Sequence, residues 1–411
     1  MPKLTDPFPR PEWNEYLIHV DDNGEDEDEQ EDHSVTDACS KVWEVVEAAK
    51  NLQPEDIHVF VHGWKNDYED ARESFTEWVK GMVDASSLTG ENSMGSSGKH
   101  MLIGIHWNSN EWKNIRGDFK GNMFKAYKVG GGIAVTKLMS GLHQAGGRIH
   151  IMGHSFGTIV ASQMIQGQPS GKSVHSAALI NGAVSCWSFT SEPMSDYATG
   201  KGAGQFKHIL ELQKVSGPLL VIYSRYDRAN GAYYPKGVGL FGRDTMPPTV
   251  LGIEGPMQEA PVKMEECDMD AREMDKEDKE LDIAYPEERG TRMMRKGARG
   301  ANSRAPSPDN ERTIERSALG RFGAREPPTG KNSGYVGEQD FIGSKTKQYN
   351  FQMGKLYNLD GANVVTGKFI NVVTGAHGDF KDPEVANAIW QAIRCRPGRP
   401  APLRRSRFSR L

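Results

Sequence analysis

The sequence predicts an α/β fold built on a mostly parallel, doubly wound sheet, and three observations carry that prediction. Short apolar runs recur along the chain, and most are continuous rather than alternating, as in strands covered on both faces. Stretches of helical periodicity separate them. Strands alternating with helix-length segments pair in parallel through crossovers.

Taken in order, the expected strands are YLIHV (16–20), IHVFVHGW (57–64), MLIGIHW (101–107), RIHIMGHS (148–155), SAALINGAV (176–184), PLLVIYS (218–224) and KFINVVTGAH (368–377). The expected helices cover 36–50, 69–84, 121–145, 156–167, 205–215 and 383–394. Asp382–Pro383 supplies a cap and first-turn pair for the last of them. No internal repeat is present. Of the opening strands only YLIHV is evident, which points to a shortened sheet.

Composition narrows the function classes. In 411 residues, 37% are hydrophobic, so the chain can bury a core and is not disordered from end to end. The 50 Lys+Arg against 55 Asp+Glu leave a net charge of −5, with no global basic field for nucleic acid. No apolar run reaches the ~18 residues of a membrane-spanning helix, and the opening MPKLTDPFPRPEWNEY lacks the apolar stretch of a signal peptide. Cys39, Cys186, Cys267 and Cys395 lie far apart with no CxxC pair. They read as free thiols in a reducing, cytoplasmic setting rather than as a disulfide or zinc framework.

The charges come in blocks. Residues 21–32 carry nine acidic groups and no basic one; 254–288 carry 14 acidic and four basic; 289–325 carry 10 basic and three acidic; 394–411 carry seven arginines and no acid. Such blocks solvate rather than pack, although 262–282 also has acid–base pairs at helical spacing. The expected organisation is an N-terminal segment with an acidic loop (1–53), a first core part (54–240), a charged and partly disordered insertion (241–365), a second core part (366–395) and a basic tail (396–411). On this reading a short linker can replace residues 258–330. The insertion and the tail are the surfaces offered to any protein partner.

The chemistry sits at strand ends. In RIHIMGHSFGTIVASQMI an apolar strand runs into Gly153-His154-Ser155-Phe156-Gly157 and then into a helix. This is the G-x-S-x-G pattern in the context it requires. A nucleophile lifted above a sheet needs a strained backbone, and close strand–helix approach leaves no room for side chains at the flanking positions. In VFVHGWKND a strand ends at His62-Gly63-Trp64. Acyl transfer builds charge on a carbonyl oxygen, which fixed N–H donors must face. The N–H groups of Phe156 and Trp64 are the candidate donors, and Gly63 lets the loop come close. His62 reads as a structural hydrogen bonder, while Trp64 fits an acyl pocket or ordinary core. Asp227 lies just past the strand of PLLVIYSRYDRAN, and His377 just past that of FINVVTGAHGDF. A serine hydroxyl needs an imidazole to take its proton, and the imidazole needs a carboxylate to fix its tautomer. Asp227 ranks above the rival acids Asp244, Asp379 and Asp382. Cys186 has no histidine partner in the expected order, and the glycines at 130–132 lack the spacing of a phosphate loop.

Together VFVHGW, GHSFG, VIYSRYD and GAHGDF resemble the α/β-hydrolase superfamily in its esterase and lipase branch, over roughly residues 55–240 and 365–395. The resemblance implies a sheet of about eight strands, a Ser155–His377–Asp227 triad, an oxyanion hole at the strand C-termini, and neither metal nor organic cofactor. One departure from the pattern is the 150-residue span from acid to histidine. The function expected is hydrolysis of a small-molecule carboxylic ester or lipid through an acyl-enzyme. An amidase, thioesterase or acyltransferase on the same triad, or a catalytically silent scaffold, remains open at this point.

Overall fold

A computed structural model describes residues 14–22, 24, 41–88, 94, 100–110, 115–190, 204–227, 229–234, 318–325, 335–365 and 376–396. Eight strands form one sheet: β1 (Glu15–Val20), β2 (Asp56–Val61), β3 (His100–Trp107), β4 (Arg148–His154), β5 (Ser176–Ile180), β6 (Leu219–Tyr223), β7 (Glu338–Phe341) and β8 (Leu356–Asp360). Their spatial order is β1-β3-β2-β4-β5-β6-β8-β7, and every pair is parallel. The helices are α1 (Val42–Leu52), α2 (Tyr68–Ser87), α3 (Ile115–Gly131), α4 (Ile133–Ala145), α5 (Gly157–Gln166), α6 (Lys207–Glu211), α7 (Leu319–Phe322) and α8 (Pro383–Ile393).

Strand alternation divides the core between the two faces of the sheet. Ile57, Val59 and Val61 of β2 pack with Val45 of α1, Leu138 of α4 and Ile159 of α5. Phe60, between them in sequence, packs on the opposite face with Phe75, Trp78 and Met82 of α2 and Ile389 of α8. Every residue of β2, β3, β5 and β6 is buried, hence the unbroken apolar runs in the sequence. The α2 helix opens on a capping box in which Asp67 accepts from the Asp70 N–H (2.9 Å) and Asp70 accepts from the Asp67 N–H (3.3 Å). Asp382 stands at the N-cap of α8 with Pro383 behind it, but its side chain makes no capping bond to the helix. The stretch 121–145 is two helices rather than one, because Gly132 caps α4. No helix among the described residues is long and apolar enough to cross a membrane.

Two corrections concern the segment 241–365. Two of the sheet's strands, β7 and β8, lie inside it, and β8 is the neighbour of β6. Ala318, Leu319 and Ala324 are also fully buried, and Ser185 bridges Ala318 in antiparallel fashion. Leu319 and Gly320 donate to the carbonyls of Val184 and Gly182 (2.7 and 2.8 Å). Residues 318–325 and 335–365 therefore belong to the core, and a linker in place of 258–330 would remove packed chain. The expected strand at 368–377 falls largely outside the described residues, and Ala376–Lys381 forms a 3-10 turn. The charge blocks at 25–32 and 254–315, the possible helix at 262–282 and the tail beyond 396 also lie outside the described residues.

Strand order reverses direction between β2 and β4, and the C-terminal edge of a sheet at such a reversal is where doubly wound folds bind ligands. The helix that follows β4 presses hard on β2. A Cβ at Gly157 would lie 2.4 Å from the carbonyl oxygens of both Val61 and His62. Both are backbone atoms, so Gly157→Ala is expected to cost about 3 kcal/mol, the upper range for overpacking. Urea denaturation of the two proteins measures this, and a loss below about 1 kcal/mol would show that the strand end yields.

Candidate active site

The turn from β4 into α5 sets Ser155 at φ 55°, in the left-handed region, with its side chain only 6% exposed. Its N–H donates to Ile180 O, and its carbonyl accepts from the N–H groups of Thr158 and Ala183 (all 3.1 Å). The glycines on either side answer a steric demand. A Cβ at Gly153 would meet Gly157 O at 2.4 Å, and one at Gly63, on the loop after β2, would meet Ser155 Cβ at 2.6 Å. Chain order thus brings the β2 loop and the β4 turn into contact.

His377, in the 3-10 turn before α8, points Nε2 at Ser155 Oγ (2.8 Å) and Nδ1 at the two Asp227 oxygens (3.0 and 2.9 Å). Asp227 is fully buried past the end of β6. Its carboxylate also accepts from the Asn230 N–H at Oδ1 (3.0 Å) and from Asn230 Nδ2 at Oδ2 (2.7 Å). The imidazole between the carboxylate and Ser155 Oγ is thereby fixed as the Nδ1–H tautomer, donating to Asp227 and turning the acceptor Nε2 to the hydroxyl. Two donors hold the backbone under the imidazole: His154 Nε2 (2.8 Å) and Asn181 Nδ2 (2.9 Å) both reach His377 O. Burial drives the His154 ring far below its usual pKa, so it is neutral and donates one proton.

His62 behaves as a hydrogen bonder. Its Nε2 accepts from the Trp107 N–H (3.2 Å), which places the ring proton on Nδ1 for donation to Gly63 O (2.8 Å). Burial lowers its pKa to about 4. The half-buried Trp64 ring packs against Phe156 and Phe119 (centroids 5.7 and 5.9 Å). Among the described residues, no acceptor takes the N–H of Phe156 or of Trp64.

The structure therefore brings Ser155, His377, Asp227, Gly63, Trp64 and Phe156 into one place. Asp244 and the side chain of Asp379 lie outside the described residues. Cys186 is fully buried, and burial pushes its thiol pKa up to about 12, the state of an inert core group. Sequence reasoning missed Asn230, Asn181 and His154 as supports. Asn230 alone had a local signal, standing three residues beyond the acid in a turn; the other two act across more than 190 residues of chain.

A second Ser-His-Asp chain shows that residue types alone do not make such a site. His150 bonds Ser176 Oγ (2.8 Å) and Asp56 Oδ1 (2.9 Å) at the opposite end of the sheet. All three side chains are buried, and Ser176 lies inside β5 without a left-handed backbone. Nothing presents that hydroxyl to a ligand. No group of three or more His, Cys, Asp or Glu among the described residues could hold a metal ion.

Residues 39–232 match the model of a family described as an alpha/beta hydrolase of unknown function. The match takes in Ser155 and Asp227 but ends before His377. Like the eight-stranded parallel sheet, it makes the chain similar to the α/β-hydrolase superfamily over that span. A lipase-esterase related protein from Clostridium acetobutylicum ATCC 824 is similar in structure at 12% identity, over 43% of this chain and 76% of that one, with a TM-score of 0.22. No curated protein sequence matches the chain.

Proposed function

We propose that this hydrolase cleaves carboxylic esters, of small molecules or lipids, through an acyl-enzyme formed on Ser155. The observation that supports this most is the hydrogen-bonded chain Asp227–His377–Ser155 ending on a serine in left-handed conformation. Ser155 Oγ attacks the ester carbonyl while its proton passes to His377 Nε2. The oxyanion is met by the N–H groups of Phe156 and Trp64, on a loop that Gly63 keeps free of a side chain. His377 then gives the proton to the departing alcohol oxygen, leaving the acyl group on Oγ. Water repeats the sequence, losing a proton to Nε2 as it attacks, and Ser155 regains its hydroxyl as the acid departs. Asp227 holds Nδ1–H and stabilises the imidazolium. The reading includes a cytoplasmic setting, to which the reduced cysteines Cys186 and Cys395 are suited.

Asp227→Asn tests the assignment. The buried amide has one NH2, which must face either His377 Nδ1–H or the Asn230 donors, so it turns the imidazole into the wrong tautomer. A loss of order 10⁴ in kcat on p-nitrophenyl esters is expected, as when a triad aspartate becomes asparagine. Activity within tenfold of the wild type would remove Asp227 from the mechanism.

A further inference from the structure

We propose that Ser109 is a positioning residue for the oxyanion-binding peptide Gly63–Trp64, acting through the Gly63 carbonyl; the inference rests on the hydrolase reading above. Three donors converge on that one oxygen: His62 Nδ1 (2.8 Å), Asn66 Nδ2 (2.9 Å) and Ser109 Oγ (3.1 Å). In a planar trans peptide the carbonyl and the following N–H point in opposite directions. Donors gathered on the Gly63 oxygen therefore turn the Trp64 N–H to the other side of the peptide. The Gly63 Cα is packed against the nucleophile, since a Cβ there would lie 2.6 Å from Ser155 Cβ and 3.2 Å from Ser155 Oγ.

Ser109 ties down the rest of the turn as well. It is fully buried beyond the end of β3. Its carbonyl accepts from the Lys65 N–H (3.1 Å) and its hydroxyl oxygen from the Asn66 N–H (3.2 Å). Lys65 stands at φ 62°, a left-handed conformation that costs a non-glycine residue roughly 1–2 kcal/mol and persists only where neighbours enforce it.

The hydroxyl has one proton and two acceptors at the same distance, Gly63 O and Asn66 O (both 3.1 Å). When an oxyanion draws on the Trp64 N–H, electron density moves onto the Gly63 oxygen, which becomes the better acceptor. The Ser109 bond to Gly63 thus strengthens as the tetrahedral intermediate forms, and such cooperative polarisation is strongest in a dry interior. An interaction that grows between ground and transition state raises kcat and leaves KM alone.

Ser109→Ala removes one oxygen and keeps the buried volume nearly constant. With p-nitrophenyl butyrate, kcat is expected to fall about tenfold, less than the 10²–10³ of deleting a direct oxyanion donor, with KM within about twofold. The rate of labelling by a fluorophosphonate, whose adduct places an oxygen where the oxyanion forms, should fall by the same factor. Assays run well below the melting midpoint of the variant separate this from lost stability. Asn66→Asp, which puts an acceptor where a donor meets the Gly63 oxygen, carries the same expectation if Ser109→Ala does not fold. An active wild type with unchanged kcat in the folded variant overturns the role of Ser109 alone, as does a rise in KM with kcat unchanged. A wild type that neither turns over nor labels overturns the hydrolase reading and this inference with it.

Discussion

Acidification from pH 7 to about pH 5 is expected to unfold the protein. Seven histidines, His19, His58, His62, His106, His150 and His175 in the buried interior and His154 partly buried, have pKa values lowered chiefly by burial. Three of them, His19, His62 and His175, are brought to about 4. In the unfolded chain each titrates near ~6.5. Between those limits the unfolded state binds protons that the folded state refuses, so stability present above pH ~6.5 is lost as pH falls toward the folded values. Each group contributes a slope of at most about 1.4 kcal/mol per pH unit, and seven approach about 10 kcal/mol per unit. A typical domain holds roughly 5–15 kcal/mol in all.

The histidines form two groups. At the N-terminal ends of the strands, His58 lies 3.1 Å from His100 Nδ1 and stacks on His150, beside the Asp56 carboxylate that Arg148 grips with two bonds (2.7 and 2.6 Å). At the C-terminal ends, rings run across the sheet from His19 to His106 to His62 (centroids 4.3 and 5.2 Å), and His154 stands 4.9 Å from His377. His106 is the sharpest case, because both its ring nitrogens are buried without a hydrogen-bond partner among the described residues. His106→Leu should therefore raise the melting midpoint at pH 6 more than at pH 8. Circular dichroism melts across pH 5–8 decide the matter; a midpoint that stays level down to pH 5 would mean these rings are not held neutral.

Replacing Ser155 should separate activity from stability. Both Ser155→Ala and Ser155→Gly lose the nucleophile, and ester hydrolysis should drop by several powers of ten in each. They differ in backbone strain. Alanine keeps a Cβ at φ 55°, whereas glycine adopts that conformation freely. The glycine variant is expected to melt above the alanine variant by up to a few degrees, the shift that about 1 kcal/mol produces. The reverse order would show that the turn stores no strain.

Much of this was legible in the sequence because the central strands are buried on both faces and read as unbroken apolar runs. The two strands that escaped, EQDF and LYNLD, show where that signal fails. β7 is an exposed edge with no apolar face to betray it. β8 carries Asn358, whose polarity breaks the run, yet it is fully buried because its side chain accepts from the Ala324 N–H (2.6 Å) and donates to Val336 O (2.7 Å). A buried polar group that finds backbone partners is invisible to hydropathy. The chemistry at Ser155 was readable because the glycines at 153 and 157 lie beside it in sequence. Ser109 was not, because it meets Gly63 across 46 residues and carries no local mark.

The most direct test of the account is covalent labelling of the wild-type protein with a fluorophosphonate, followed by peptide mapping. Attack by a serine activated through His377 predicts one adduct per chain, on Ser155, with none on Ser176 and none after Ser155→Ala. Labelling that persists in Ser155→Ala, or maps elsewhere, would contradict the assignment of this serine as the nucleophile.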